Sequence, residues 1–147
     1  MVTAAVDDGA LARACAERMW SEDNASQTLG MKLEAIGPGT VRLSMRIRPD
    51  MVNGHGACHG GYISTLADSA FAFACNSRGA VTVAAGFDIS FLEPAHLDDV
   101  LVGEAREVSL RGRSGIYDVT VRRGDTVIAE FRGRSRSLGR AILEEER

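Results

Sequence analysis

One stretch of this chain strongly limits how it can fold, because residues 60–77 are almost free of charge and carry apolar side chains at helical spacing. The apolar positions are Ile63, Leu66, Ala67, Ala70, Phe71, Ala74 and Cys75. Gly60 and Gly61 open the segment, and Asn76-Ser77-Arg78-Gly79 closes it, with Gly79 as the predicted C-terminal cap. Because nearly all of the buried stripe is apolar, we expect a long central helix that other elements wrap.

The pattern outside this helix is mostly that of strands, in which apolar and polar side chains alternate, most clearly from Val41 to Arg48. The predicted elements are a helix over about 9–22 capped by Asp8, a short turn from Asn24 to Gly30, strands over 31–36 and 40–48, the central helix, and strands over about 80–92, 99–110, 115–123 and 126–137. The polar tail, 138–147, is expected to fray. The sequence therefore predicts one α+β domain over residues 1–147, an antiparallel sheet of about six strands around the long helix.

Composition excludes several classes of protein. A chain of 147 residues with 45% hydrophobic and 25% charged side chains is neither disordered nor membrane-spanning, and three cysteines are too few for a disulfide scaffold. No secretory signal is apparent, since Asp7 and Asp8 stand where a basic region belongs, so we expect a cytoplasmic protein with free thiols.

Charge is distributed unevenly along the chain. The net charge is −3, yet residues 106–147 carry ten Arg and only seven acidic side chains. A local excess of Arg in an acidic chain suggests a particular anionic ligand rather than nucleic acid. Arginines that merely decorate exposed strand faces are an equally good interpretation at this point.

Two features of the central helix point to chemistry. The first backbone N–H groups of a helix are unpaired and partly positive, and Gly60 and Gly61 leave them open to a carbonyl oxygen or oxyanion. Asp68 lies off the apolar stripe and is the lone carboxylate of this helix. Each feature also has a purely structural interpretation. The glycines could form nothing more than a tight turn, and Asp68 could be a solvated residue at the rim of the helix.

The spacing of these features predicts an assembly. Gly60 and Asp68 are eight residues apart, which on a helix is about 12 Å along the axis. A base and an oxyanion donor must both reach one carbonyl group, so a single helix does not supply both to one substrate. If both are catalytic, Gly60 of one chain faces Asp68 of another, and we expect a homodimer with two composite sites.

Weaker signals surround the glycines. His59 could donate to a carbonyl or a leaving thiolate, and Asn53 could orient the reacting groups. His55, Cys58 and His59 are adjacent without a fourth ligand, so no metal site is predicted. A nucleophilic Cys58–His59 pair is disfavoured because sequence neighbours in extended chain point opposite ways. The other two thiols belong to the predicted core, as most free cysteines do.

These residues together resemble the PaaI-type branch of the hotdog-fold acyl-CoA thioesterases, over about residues 15–139. The matching stretches are Leu29-Gly30-Met31, Asn53-Gly54-His55, Cys58-His59-Gly60-Gly61, Leu66-Ala67-Asp68-Ser69-Ala70-Phe71, Ala74-Cys75-Asn76-Ser77, Phe91-Leu92-Glu93-Pro94 and Gly115-Ile116-Tyr117-Asp118. Within this branch, the sequence most resembles the subgroup that acts on phenylacetyl-CoA in phenylacetate catabolism.

This resemblance implies a hotdog fold, dimers that pair into tetramers, and hydrolysis of a CoA thioester with no metal and no cofactor beyond the substrate. It implies that Asp68 is general base or nucleophile and that the Gly60 N–H polarises the carbonyl from the other subunit. His59 then supports the carbonyl or the sulfur, and Asn53 orients the reacting groups. One departure is that residues 83–86 lack the hydroxyl with which some relatives hold the attacking water, and Thr82 is the nearest substitute.

The resemblance also gives the Arg-rich end a role, since CoA carries a 3′-phosphate and a pyrophosphate and arginine binds phosphate well. The predicted CoA-binding residues are Gly61, Arg111, Gly112, Arg113, Ser114 and Arg134. The alternatives to a thioesterase are a hotdog-fold acyl-CoA hydratase or dehydratase and a non-catalytic acyl-CoA-binding protein. No membrane partner is predicted.

Overall fold

A computed structural model describes residues 7–143 of the chain. The helices are α1 (Asp8–Glu22), α2 (Asn24–Thr28) and α3 (Gly60–Cys75), with a single 3₁₀ turn at Pro49–Met51. The strands are β1 (Lys32–Gly37), β2 (Thr40–Arg46), β3 (Ala80–Phe91), β4 (Val100–Arg111), β5 (Ser114–Arg123) and β6 (Thr126–Ala141). Every predicted helix and strand is present at about its predicted position, with the differences in bounds given below, and this confirms the α+β architecture.

The six strands form one antiparallel sheet in the order β1-β2-β4-β5-β6-β3, and α3 packs on its inner face. Phe71 of α3 lies against the rings of Tyr117 on β5 and Phe131 on β6, with centroids 5.7 Å away in both cases. Gly133 makes this approach possible, because a Cβ there would come within 2.8 Å of the Phe71 ring. The long helix is thus held by close packing at the middle of the sheet.

The two N-terminal helices, α1 and α2, each contact α3. Trp20 of α1 packs near Phe73 of α3, with ring centroids 6.2 Å apart. Asp23 caps α2 and binds Ser26, whose Oγ lies 2.9 Å from that of Ser69 on α3. The predicted cap of α1 was wrong by one residue: Asp7 is the N-cap and accepts from the Gly9 N–H, so Asp8 lies in the first turn.

Two further boundary predictions were wrong. The C-cap of α3 is Asn76, and Gly79, with φ +99°, instead turns the chain into β3. The predicted frayed tail is ordered through Ala141, because β6 pairs with the start of β3 at Ala80. Residues 144–147 of that tail lie outside the described residues. The start of β3 gives the polar C-terminal end of β6 a partner, and the sequence pattern of the tail does not reveal that pairing.

Strand β3 is an edge of the sheet with an unusual surface. Its sequence is largely apolar, yet its side chains are mostly half or fully exposed. Phe87 and Phe91 pair opposite Gly133 and the buried Ala129, so they lie on the inner side of the sheet, and they are 40% and 51% exposed. A long apolar edge strand invites pairing with another chain unless something covers it. Within residues 7–143, no helix is long and apolar enough to cross a membrane.

Candidate active site

The loop before α3 is tied to two neighbouring segments, and this fixes where the helix begins. The Cys58 N–H donates to the Ala95 carbonyl at 2.7 Å, and the His59 N–H donates to the Met51 carbonyl at 2.8 Å. A bridge between Ala57 and His96 adds to this attachment. The first residue of α3 is therefore held between the 3₁₀ turn and the loop after β3.

Asn53 has a structural task within this loop. Its Oδ1 accepts from the N–H groups of His55 and Ala57, at 2.9 and 3.2 Å, and its own N–H donates to the Ala57 carbonyl. The side-chain oxygen is thus occupied in shaping the turn that leads to His59. The amide NH₂ group is the part of Asn53 that stays available to a ligand.

The N-terminus of α3 is open. His59 is its N-cap and makes no side-chain capping hydrogen bond, and its carbonyl accepts from the Tyr62 N–H. Among the described residues, the N–H groups of Gly60 and Gly61 find no acceptor. A Cβ at Gly61 would have nothing within 4 Å, whereas one at Gly60 would lie 2.9 Å from the Phe91 ring. Two partly positive N–H groups are left for a ligand.

Gly60 borders a cleft of about 510 Å³ between the helix and the end of the edge strand. The cleft is lined by Cys58, Gly60, Ile63, Phe91, Leu92, Glu93, Pro94 and Ala95. Most of these side chains are apolar, and one is charged. An apolar cleft with a few convergent polar groups is the usual form of a small-molecule site.

Asp68 lies two turns farther along α3, and burial raises the pKa of its half-buried carboxyl above the ordinary value. It stands three residues before Phe71 and seven before Cys75, so these side chains share one flank of the helix. On that flank Phe71 contacts Phe131 of β6, the strand next to the exposed edge β3. No described side chain forms an ion pair with Asp68, which suits a base more than a structural carboxylate.

The remaining predicted groups are distributed as follows. His59 is exposed beside the open helix end. The Thr82 hydroxyl donates to the Ala80 carbonyl at 2.9 Å, so it is already engaged. Gly60 and Asp68 are both on α3, eight residues apart, so one chain does not bring them to the same carbonyl group.

All three thiols are free and buried. Burial raises the pKa of Cys58 to about 11 and that of Cys75 to about 12, and it raises the pKa of Cys15 as well. These thiols stay protonated near neutral pH, which argues against a nucleophilic Cys58–His59 pair. Residues 7–143 contain no group of three His, Cys, Asp or Glu side chains arranged to hold a metal ion.

The structure divides the predicted CoA-binding residues into two groups. Arg111, Ser114 and Arg134 line one groove of about 410 Å³, which Arg136 also borders. Arg134 pairs with Asp88 there at 2.9 Å. Gly112 and Arg113 instead line a separate cavity of about 90 Å³. The cause is the two-residue turn between β4 and β5, where Gly112 has a φ of +59° and strand alternation ends.

Sequence reasoning missed two residues of these sites. Phe91 was recognised only as part of a matching stretch, and its contact with Gly60 depends on how the edge strand lies beside α3. Arg136 is two residues after Arg134 on the last strand, and this alternation was the available signal. The register of β6 brings both arginines to the groove.

A long apolar helix packed on a six-stranded antiparallel sheet, with an open N-terminus and a half-buried carboxylate, is the arrangement of the hotdog-fold acyl-thioester enzymes. The model of the Thioesterase superfamily matches residues 55–130. The chain therefore belongs to the Thioesterase superfamily, which confirms the sequence prediction of a thioester hydrolase.

Relatives support this membership along most of the chain. Acyl-coenzyme A thioesterase PaaI of Escherichia coli is 36% identical over 131 residues, 88% of this chain and 94% of that protein. The structure of E. coli PaaI, from the phenylacetic acid degradation operon, superposes with a TM-score of 0.90 and covers 92% of this chain and 99% of its own. This match confirms the hotdog fold.

Two further structures are informative. A mutant of the phenylacetic acid degradation protein PaaI from Thermus thermophilus is 34% identical, with a TM-score of 0.77 and coverage of 79% of this chain and all of that one. A Streptococcus mutans protein bound to acetyl CoA is 25% identical, with a TM-score of 0.73 and coverage of 76% and 90%.

Proposed function

We propose that this protein hydrolyses acyl-CoA thioesters at sites composed of residues from two subunits. The observation that carries this is the layout of α3: two unpaired N–H groups at Gly60 and Gly61, and about 12 Å farther on a half-buried carboxylate at Asp68. Hydrolysis needs both kinds of group at one carbonyl. The names of the E. coli PaaI thioesterase and the acetyl-CoA-bound relative support a CoA thioester as the substrate.

The second subunit is expected along β3. This edge strand exposes apolar side chains on the flank of α3 that carries Asp68. Pairing β3 with the same strand of a second copy would cover that edge, and a two-fold axis there would run the two α3 helices antiparallel. Each Asp68 then faces the open helix end of its partner. We further propose that two such dimers associate into a tetramer.

In the proposed reaction, the carbonyl oxygen of the thioester accepts from the Gly60 N–H, which draws electron density from the carbon. Asp68 of the other subunit takes a proton from a water molecule, and the hydroxide forms a bond to that carbon. The tetrahedral oxyanion collapses, the carbon–sulfur bond breaks, and the electron pair leaves with sulfur. The proton on Asp68 then passes to the CoA thiolate.

The raised pKa of Asp68 suits this role, because a carboxylate that is costly to ionise is a stronger base than a solvated one. If Asp68 is instead the nucleophile, it displaces CoA and forms a mixed anhydride with the acyl group. Water that then attacks the Asp68 carbon of this anhydride leaves the first-turnover acid unlabelled in ¹⁸O-labelled water and places the label on Asp68. If Asp68 is the general base, the labelled water itself attacks the thioester carbon, so the acid of the first turnover carries the label. Mass spectrometry of the first-turnover product separates the two.

We assign supporting roles to His59 and Asn53. His59 is exposed at the helix end and is close in sequence to the polarising N–H, so it can donate to the carbonyl oxygen or the departing sulfur. The NH₂ group of Asn53 can orient the substrate while its oxygen holds the loop. Thr82 is committed to Ala80, so the attacking water depends on Asp68 and on groups of the second subunit.

We place the phosphates of CoA at the groove lined by Arg111, Ser114 and Arg134, to which we add Arg136. Guanidinium groups form charge-assisted, bidentate hydrogen bonds with phosphate oxygens. Gly112 and Arg113 line the separate small cavity, so their proposed contribution to CoA binding comes from the turn after Arg111 and not from this groove. Gly61 leaves room at the thioester end. We expect phenylacetyl-CoA or a hydroxylated aryl-acetyl-CoA as the acyl donor, in aromatic catabolism. The names of two PaaI relatives support this choice. Three free thiols fit the reducing cytoplasm.

A thiol-release assay over a panel of aryl and aliphatic acyl-CoAs tests the proposal. We expect turnover that falls by about 10²–10⁴-fold in Asp68→Asn, since that change removes the base. Asp125→Asn removes an exposed carboxylate in the turn between β5 and β6, and it is the matched control. Undiminished activity in Asp68→Asn would contradict the assigned role. Reversible hydration of an enoyl-CoA without thiol release, or tight binding without turnover, would contradict the thioesterase itself.

A further inference from the structure

Glycine at position 60 is not required by the backbone. Seven glycines of the described chain have positive φ, and Gly60 is not among them, so its helical conformation is open to any residue. What excludes a side chain is Phe91, whose ring atoms would lie 2.9–3.3 Å from a Cβ. Gly61, one residue on, would meet nothing within 4 Å. The absent side chain at Gly60 therefore lets an aromatic ring approach the helix end.

Phe91 is placed where a substrate would meet it. It is the last residue of β3, it lies on the inner side of the sheet opposite Ala129, and it stays 51% exposed. Its ring forms one wall of the apolar 510 Å³ cleft that opens at the α3 N-terminus. A large aromatic ring that is half exposed beside Gly60, whose N–H is unpaired, presents a flat apolar surface to a group held by that N–H.

We infer that Phe91 determines acyl specificity by selecting a planar aryl group, a conclusion that rests on the proposed thioesterase function. When the carbonyl oxygen accepts from the Gly60 N–H, the group on the carbonyl carbon enters the cleft beside the Phe91 ring. An aryl ring held there by one methylene can stack offset or edge-to-face on Phe91. Such aromatic pairs add stabilisation beyond burial, which an alkyl chain of similar size does not gain.

Phe87 provides a matched comparison on the same strand. It also lies on the inner side and is 40% exposed, but it packs on Phe131, with ring centroids 4.8 Å apart. Four residues separate it from Phe91, about 13 Å along a strand. Its ring lies away from Gly60, and it does not line the cleft. The two residues share type, strand face and exposure and differ in their neighbours.

The test measures kcat/KM for phenylacetyl-CoA and for hexanoyl-CoA with Phe91→Leu and Phe87→Leu. We expect the ratio of phenylacetyl to hexanoyl to fall about two- to tenfold in Phe91→Leu, the loss of one aromatic pair. The ratio in Phe87→Leu should stay within a factor of two of the wild type. Inhibition by free CoA, which has no acyl group, should be unchanged in Phe91→Leu.

Three results would overturn the inference. An equal loss on both substrates in Phe91→Leu would place the ring against the pantetheine arm or give it a purely structural role. An equal change of the ratio in Phe87→Leu would make it a general property of the strand. Weaker inhibition by CoA would also contradict it. Failure of the proposed function is distinct, because the wild type would then release no thiol from either substrate.

Discussion

The two ends of α3 differ in how far their polar groups are hydrogen-bonded within the chain. At the N-terminal end, no side chain caps the helix, and the N–H groups of Gly60 and Gly61 are left without acceptors among the described residues. At the C-terminal end, Asn76 binds the backbone of Ala72 and both polar backbone groups of Thr82, at 2.8–2.9 Å. The N-terminal end of α3 therefore keeps unpaired N–H groups, whereas the C-terminal end is hydrogen-bonded to the start of β3.

The C-terminal end is further secured by an ion pair and a hydroxyl. The Ser77 hydroxyl donates to the Ala74 carbonyl and accepts from the Gly39 N–H. Arg78 forms two hydrogen bonds to Glu107, and their guanidinium–carboxylate contact lowers the pKa of Glu107. Tyr117 donates to the same carboxylate at 3.1 Å.

The difference teaches where the helix is anchored and where it is free to act. A helix that is held firmly at one end and along its buried face can leave its other end unsatisfied at small cost, because the fold does not depend on that end. Changes at the N-terminus should therefore alter turnover with little effect on stability, and changes at the C-terminus should do the reverse.

Among changes at the two ends of α3, the largest effect is expected from Gly60→Pro. Proline is well tolerated at the first position of a helix, and the hydrogen-bonding group that it removes there is the backbone N–H. The extended backbone of His59 already suits a residue that precedes proline. We expect kcat to fall about 10²–10³-fold, the usual loss for one oxyanion donor.

Gly60→Ala is the control for this change, since it adds the same steric conflict with Phe91 but keeps the N–H. Its kcat should stay well above that of Gly60→Pro, and thermal unfolding should be similar for the two. Equal kcat values in both variants would show that crowding of Phe91, rather than loss of the donor, explains the effect.

Asn76→Ala should have the next largest effect, on stability. The side chain is buried, and its removal leaves the Thr82 N–H and carbonyl without partners. We expect the free energy of unfolding to drop by about 1–3 kcal/mol, with kcat of the folded enzyme within a factor of two. Denaturant titration and steady-state assays measure the two quantities.

Asn24→Ala, at an exposed position of α2, is the control and should change stability far less. If Asn76→Ala lowered kcat strongly at unchanged stability, the C-terminal end of α3 would belong to the active site. This result would contradict the assignment of catalysis to one end of the helix and of anchoring to the other.

The smallest effect is a pH-dependent gain in stability in Asp68→Asn. Burial raises the folded-state pKa of Asp68, so its ionised form opposes folding. That penalty is complete above the raised pKa and absent below the ordinary value of about 3.9, where the carboxyl is protonated in both states. Asp68→Asn should melt at a slightly higher temperature than the wild type at neutral pH. The difference should vanish in acid, and a lower Tm at neutral pH would contradict the assigned burial.

Much of this arrangement was predictable from the chain. The uncharged run over 60–77 identifies α3 and its apolar face, both of which the structure contains. The two-subunit site that follows from the eight-residue spacing of Gly60 and Asp68 stays a prediction. The contact of Phe91 with Gly60 was not predictable, because it depends on how an edge strand lies beside a helix far away in sequence. The placement of Arg111 and Arg113 in different cavities was also not predictable, because the turn at Gly112 interrupts the alternation of side chains along the strand.

Caps were the least predictable local feature. Gly79 has the residue type expected of a C-cap, but Asn76 ends the helix earlier because its side chain can bind both α3 and Thr82. That competition depends on where β3 begins, which a helical pattern does not contain.

The central claim, that Asp68 of one subunit and Gly60 of another act on one thioester, is tested most directly by subunit complementation. Asp68→Asn and Gly60→Pro chains with different affinity tags are coexpressed, and the mixed dimer is purified by both tags. Each mixed dimer holds one site with both defects and one with neither, so about half of the wild-type thiol-release activity per dimer should return. Activity no higher than that of the two inactive homodimers would contradict the composite site.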